Sequence, residues 1–257
     1  MNKLFRSEWI KFKTLRSHWV MLASTLILSW GMLALAVGFY DTEPDVPKEA
    51  LNNTDALLGA ILGFSTPVAG ILLAVLGVMA MGGEYKSKTV LPSFSAAPIR
   101  GEVIAAKGIV LAAVALVTSL LMVAVDVIVG ILWLDQKGFD IDFGAANLLQ
   151  AAGGAVLYLV ALALFGFGLG LILTNQSLAI TLAIIIPLVV DPALAALIPG
   201  DWIKQVLPFA AGGALFAPGG TENVEVWQGG AVLGLWVSAV VIAGGIVFER
   251  RDLGNTG

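Results

Sequence analysis

The chain has 257 residues, of which 58% are apolar and only 12% charged, whereas soluble domains carry about 25% charged residues. With a mean hydropathy of +0.93 such a composition cannot clothe a water-facing surface, and the net charge of −4 gives no argument for a nucleic-acid partner. Cysteine is absent and histidine occurs once, as His18, which rules out disulfides, thiolate metal sites, cysteine nucleophiles and any two-histidine metal site.

The first 18 residues form a basic arm with Lys3, Arg6, Lys11, Lys13 and Arg16. Phe5, Trp9, Phe12 and Trp19 fall at helical offsets 0, 4, 7 and 14, the pattern of an amphipathic helix lying in the membrane interface. A plain positive flank with belt tryptophans is the other reading. Six apolar stretches follow, at 19–39, 61–82, 108–133, 151–173, 178–198 and 229–248, each near the roughly 20 residues that cross a hydrocarbon core. The first resembles a signal peptide in its small residues Ala34 and Ala36. Its apolar run exceeds the 7–15 residues of a signal core, so it reads as a retained span. The fold class is therefore an all-α integral membrane protein of six transmembrane helices, one domain over 1–257.

Orientation follows from lysine and arginine. The arm, together with Lys86, Lys88, Arg100, Lys107, Arg250 and Arg251, gathers eleven such residues on one side, against Lys48, Lys137 and Lys204 on the other. Both termini are expected in the cytoplasm.

Between the second and third spans, residues 83–101, just after Gly82, run from Gly83-Glu84-Tyr85-Lys86 through Lys88-Thr89 to Pro98-Ile99-Arg100-Gly101. Two glycines are expected to close the span, with a short polar helix over about 84–91 stopped by Pro92 and Pro98. Either this is a purely topogenic loop or it docks a partner. Glycine–glutamate–tyrosine, then basic residues and a threonine, then proline–x–arginine and a lysine opening the next span, resembles the cytoplasmic loop of type-2, exporter-type permease subunits of ATP-binding-cassette transporters. The opening Ser7-Glu8-Trp9-Ile10-Lys11 with Leu15-Arg16-Ser17 is similar to the start of many bacterial members. The resemblance implies an interfacial connecting helix in the arm and a coupling loop that docks on an ATPase through Glu84, Tyr85, Lys86, Lys88, Thr89 and Arg100. It also implies a second permease copy or homologous permease, making a dimer, in a bacterial plasma (inner) membrane.

Further along, Asp126 and Asp191 are the two acids within apolar stretches, where a charge costs about 2.5–3.5 kcal/mol on insertion scales. The 108–133 stretch would be about 39 Å long, so Asp126 reads either as a headgroup-level residue or as a functional acid. Asp191 before Pro192 has the pattern of a helix N-cap, and with Pro187 it suggests that the fifth span breaks and restarts. Residues 199–228 are too apolar for a solvated loop and too short to span, and are read as re-entrant helices at the extracellular side or as a loop resting on the interface. The spacings Gly59/Gly63 and Gly166/Gly170 make G-x-x-x-G surfaces.

No G-x-x-x-x-G-K-[ST] occurs anywhere in the chain, so no phosphate-cradling loop of that kind forms. The chain is not expected to be an enzyme or to bind a cofactor. ATP and Mg belong on a separate cytoplasmic ATPase subunit. If the second and fifth spans line the pathway, as the resemblance implies, they offer Phe64, Ser65, Thr66, Met79, Met81, Thr181 and Pro187 and no basic residue, which favours an amphiphilic or hydrophobic cargo (a drug, peptide antibiotic or lipid-like molecule) over a polyanion. The competing classes are an ion-coupled secondary transporter or channel using Asp126 and Asp191, and a membrane anchor without transport.

Overall fold

The computed structural model describes residues 2–42, 54–86, 100–136 and 147–250. Each predicted apolar stretch lies in a helix, because a chain crossing hydrocarbon has no water to satisfy its peptide groups and must bond them internally. The arm is α1 (Asn2–Thr14), followed by α2 (Arg16–Thr42), α3 (Thr54–Lys86), α4 (Arg100–Gln136) and α5 (Leu148–Ile172). The fifth span is composite: α6 (Gln176–Ile185), a π-helical turn (Ile186–Val190) and α7 (Asp191–Leu197). Short helices α8 (Trp202–Val206) and α9 (Pro208–Gly212) lead to α10 (Val226–Glu249). Among the described residues six helices are long and apolar enough to cross a membrane.

Two expectations are revised here. The second apolar span ends at Met81, beside Gly82-Gly83 as expected, but the helix does not end there: α3 runs through both glycines to Lys86, because a glycine costs a helix only about 1 kcal/mol and the rest of the helix carries it. The fifth span does not break at Pro187, since the π turn absorbs the proline and the helix continues into α7.

The core is built around α3 and α5, whose apolar windows are 67% and 72% buried by the chain itself, against 17% for the fifth span and 22% for α10. Small residues explain the closeness. A Cβ built on Gly77 would lie 2.0 Å from the Ala163 carbonyl oxygen, and one on Gly166 would lie 1.8 Å from that of Ala74. The two backbones therefore touch where a side chain would stand, the packing by which helices associate in lipid. Gly170 joins the same contact, whereas Gly63 faces open space, so only one of the two predicted glycine pairs is used. On the other side of α5, Gly244 of α10 packs against the Gly168 carbonyl.

Six spans place both ends of the bundle's chain on one side, called here the near end. It holds α1, the C-terminus of α3, the N-terminus of α4, the 173–175 turn and the end of α10. The far end holds the starts of α3 and α5 and the segment 198–225. At 33 and 37 residues, α3 and α4 are about 50 and 55 Å long, well beyond a roughly 30 Å core.

Candidate functional site

At the near end α1 presents two faces. Leu4 packs against the core, Glu8 and Phe12 are buried, and Lys11 lies beside them; Phe5 and Trp9 lie outward at 41% and 45% exposure. Glu8 is the centre of this contact. Its Oε2 accepts from Lys107 Nζ of α4 at 2.5 Å and its Oε1 from Lys11 Nζ at 2.7 Å. Burial alone would raise the Glu8 carboxyl, but the Lys107 and Lys11 ammonium groups outweigh it and hold the carboxyl below its ordinary value of 4.5.

The predicted aromatic stripe does not survive as one face. The helix stops at Thr14 and a new one starts at Arg16, so counting through Leu15 puts Trp19 in the wrong phase. Phe12 turns inward at 7% exposure and stacks on His18 with ring centroids 4.4 Å apart. His18 Nδ1 lies 3.3 Å from the Phe12 carbonyl oxygen, and Trp19, 53% exposed, donates Nε1–H to the Lys13 carbonyl at 2.9 Å. These contacts close the end of α1 where its last carbonyls lack helical partners.

Of the predicted coupling residues, Glu84, Tyr85 and Lys86 form the last helical residues of α3, and Arg100 is the first residue of α4. Their side chains, and Lys88 and Thr89 entirely, lie outside the described residues. The apolar cores of α3 and α4 thus continue as helix into both flanks of the segment.

Asp126 packs inside the bundle. It is fully buried, seven residues before Trp133 at the end of its span, about 10 Å along the helix axis. Ser65 Oγ donates to its Oδ2 at 2.6 Å, and no described residue reaches Oδ1. Ser65 also lies 3.2 Å from the Ile61 carbonyl. Nothing in the sequence ties position 65 to 126; the link follows from α3 and α4 running antiparallel, with Ile61 against Gly130 one turn away.

At the far end Asp191 does not cap its own helix, whose N-cap is Val190. Its carboxylate instead accepts the backbone N–H groups of Phe209 and Ala210, at 3.0 and 2.8 Å, the second and third positions of α9. The capping chemistry anticipated for this acid is present, but it serves a helix 18 residues further on. Gln150 adds a second fastening: its Nε2 donates to the Leu215 carbonyl at 2.7 Å and its Oε1 accepts Gly219 N–H at 2.9 Å. Trp236 Nε1–H reaches the Val206 carbonyl at 3.0 Å. Between these fastenings and the fifth span lies a cleft of about 660 Å³ lined by residues that include Pro67, Tyr158, Pro187, Asp191, Lys204, Phe209 and Phe216.

The predicted pathway residues therefore separate. Ser65, Thr66 and Met81 are covered within the chain, Met79 is half-buried, Phe64 and Thr181 are exposed, and Pro187 lines the cleft.

Residues 4–190, from the arm to the end of the π turn, match the family model described as ABC-2 family transporter protein. No curated protein matches the chain.

Proposed function

The chain belongs to the ABC-2 family of transporter proteins, a membrane component of ATP-binding-cassette transporters, and from that premise we propose that it is the permease subunit of an exporter driven by a separate ATPase. The observation that carries the reading furthest is the continuation of α3 to Lys86 and of α4 from Arg100. Both helices are longer than a hydrocarbon core, which supports a segment 84–100 that stands in water as a docking element requires. The eleven-to-three division of basic residues supports placing the near end in the cytoplasm, so Glu84, Tyr85, Lys86, Lys88, Thr89 and Arg100 face the ATPase. ATP and Mg are held by that partner, since this chain has no P-loop.

The far-end segment 199–228 then lies outside, with α8 and α9 as re-entrant helices. The fifth span, only 17% buried by its own chain, supports a second permease copy or a homologous one beside it. The cleft walls of Pro67, Tyr158, Pro187, Phe209 and Phe216 suit an amphiphilic or hydrophobic cargo. Lys204 is in the same lining but is paired with Asp201 at 3.3 Å, so it offers little to a polyanion. The ion-coupled alternative needs both Asp126 and Asp191. Both oxygens of Asp191 already accept backbone N–H groups, which weakens it.

The test is coupling. Glu84→Lys is expected to insert and express normally, yet to lose about tenfold or more of the transport obtained per ATP hydrolysed, equivalent to about 1.4 kcal/mol of lost coupling. A Glu84→Lys permease that couples like wild type removes the docking role. Vectorial transport by the permease alone, driven by a proton or sodium gradient, overturns the whole reading.

A further inference from the structure

Two short sequence features had no individual role: Glu8 in the arm, and Lys107 at the start of the third span. The fold brings them together across 99 positions, Lys107 Nζ to Glu8 Oε2, in a contact where both side chains are under a tenth exposed. Resting on the permease reading above, we propose that Glu8 and Lys107 are positioning residues of the coupling machinery, locking the arm to the base of α4 and so fixing the helix that begins at Arg100.

The geometry carries this in three steps. Lys107 lies seven residues after Arg100 on one unbroken helix, two turns or about 10 Å, so the end of the segment cannot rotate or slide without carrying Lys107 with it. Lys107 in turn cannot move without leaving Glu8, because separating a buried pair costs each ion its closest opposite charge in a setting with little water to replace it. The arm that carries Glu8 is itself held. Phe12 packs in the core cluster and stacks on His18 at the start of α2, and Trp19 grips the Lys13 carbonyl. Lys11 keeps Glu8 aimed by a second contact from the same helix. An apolar contact would hold the two helices together equally well, since buried ion pairs are commonly replaceable by hydrophobic side chains without loss of stability. The charge pair adds a defined direction and register, which a docking surface needs and simple cohesion does not.

That distinction is the experiment. The full-length permease is assembled with its ATPase in lipid vesicles, and permease-dependent ATP hydrolysis, affinity for the ATPase and the melting temperature of the purified permease are measured for Glu8→Gln, for the double variant Glu8→Met with Lys107→Met, and for the exchange Glu8→Lys with Lys107→Glu. The double-methionine protein leaves no stranded charge and is expected to melt close to wild type, but to lose about tenfold in permease-dependent hydrolysis or in affinity, the size of one weak lost contact. The exchange is expected to recover most of that loss. If the double-methionine permease stimulates and binds the ATPase as wild type does, the pair is merely cohesive and the proposal falls. A wild-type chain that neither binds nor stimulates an ATPase is instead a failure of the permease reading itself.

Discussion

Each end of the bundle is fastened by one buried carboxylate, and the two are bonded differently. Glu8 at the near end is held by two side-chain cations, one of them from another span. Asp191 at the far end is held by two backbone N–H groups of a single helical turn. The first device ties elements through flexible lysines and depends on charge. The second uses the peptide groups that a helix start leaves without partners, so it fixes α9 as a rigid unit against the fifth span. Both acids are shielded from water, and neither would be retained there without its partners.

The largest effect expected from breaking this symmetry is at the near end. Lys107→Met leaves Glu8 buried with Lys11 alone, and removal of one member of a buried pair costs about 3–5 kcal/mol. It is read as a fall in the melting temperature of the purified permease. Asp191→Ala strands two N–H donors in an apolar setting at about 1–3 kcal/mol for each unsatisfied group, and amide exchange should rise over residues 208–216 while α1 stays protected. Asp191→Asn, which keeps one acceptor oxygen, is expected to lose roughly half as much.

Acid separates the two ends in another way. Glu8 is depressed below its ordinary value of 4.5 by its lysines, so its contribution is fully present above that value and is lost as the pH falls through the lower folded one. Melting temperature measured from about pH 7 to about pH 3 should therefore drop more steeply for wild type than for Glu8→Gln. The smallest effect belongs to the far-end surface. Lys204 and Asp201 are 45% and 68% exposed, and Lys204→Met is expected to shift stability by less than about 1 kcal/mol.

The sequence made the six spans readable because hydrocarbon imposes a length and a composition that few other structures share. It made the chemistry of the fastenings readable only in part. Asp191-Pro192 carries a genuine capping signature, but the donors come from Phe209 and Ala210, and no local pattern reports a partner 18 residues away. Glu8 and Lys107 stand in motifs of their own, and their meeting depends on how α1 lies across α4. The aromatic stripe misled for a simpler reason: a helical count has meaning only inside one helix, and Leu15 interrupts it. Length alone left Asp126 open between a headgroup-level residue and a functional acid, and nothing near it in the chain pointed to Ser65 as its partner.

The π turn at 186–190 fixes which side chain the far end receives. An α-helix advances about 100° per residue, so the buried pair Ala179 and Ala183 would be continued on the same face by position 190, seven residues on and only about 20° off. Val190 is instead 40% exposed and Asp191 is 2% exposed. The wide turn accommodates one extra residue and so delays the phase of everything after it by one place, handing the inward seat from a valine to an aspartate. The chain thus carries a one-residue insertion in angular terms: with every residue kept, tightening the turn to ordinary α geometry would seat Val190 there and turn the carboxylate away from α9, whereas deleting one residue of the turn would restore a regular helix and leave the aspartate facing inward.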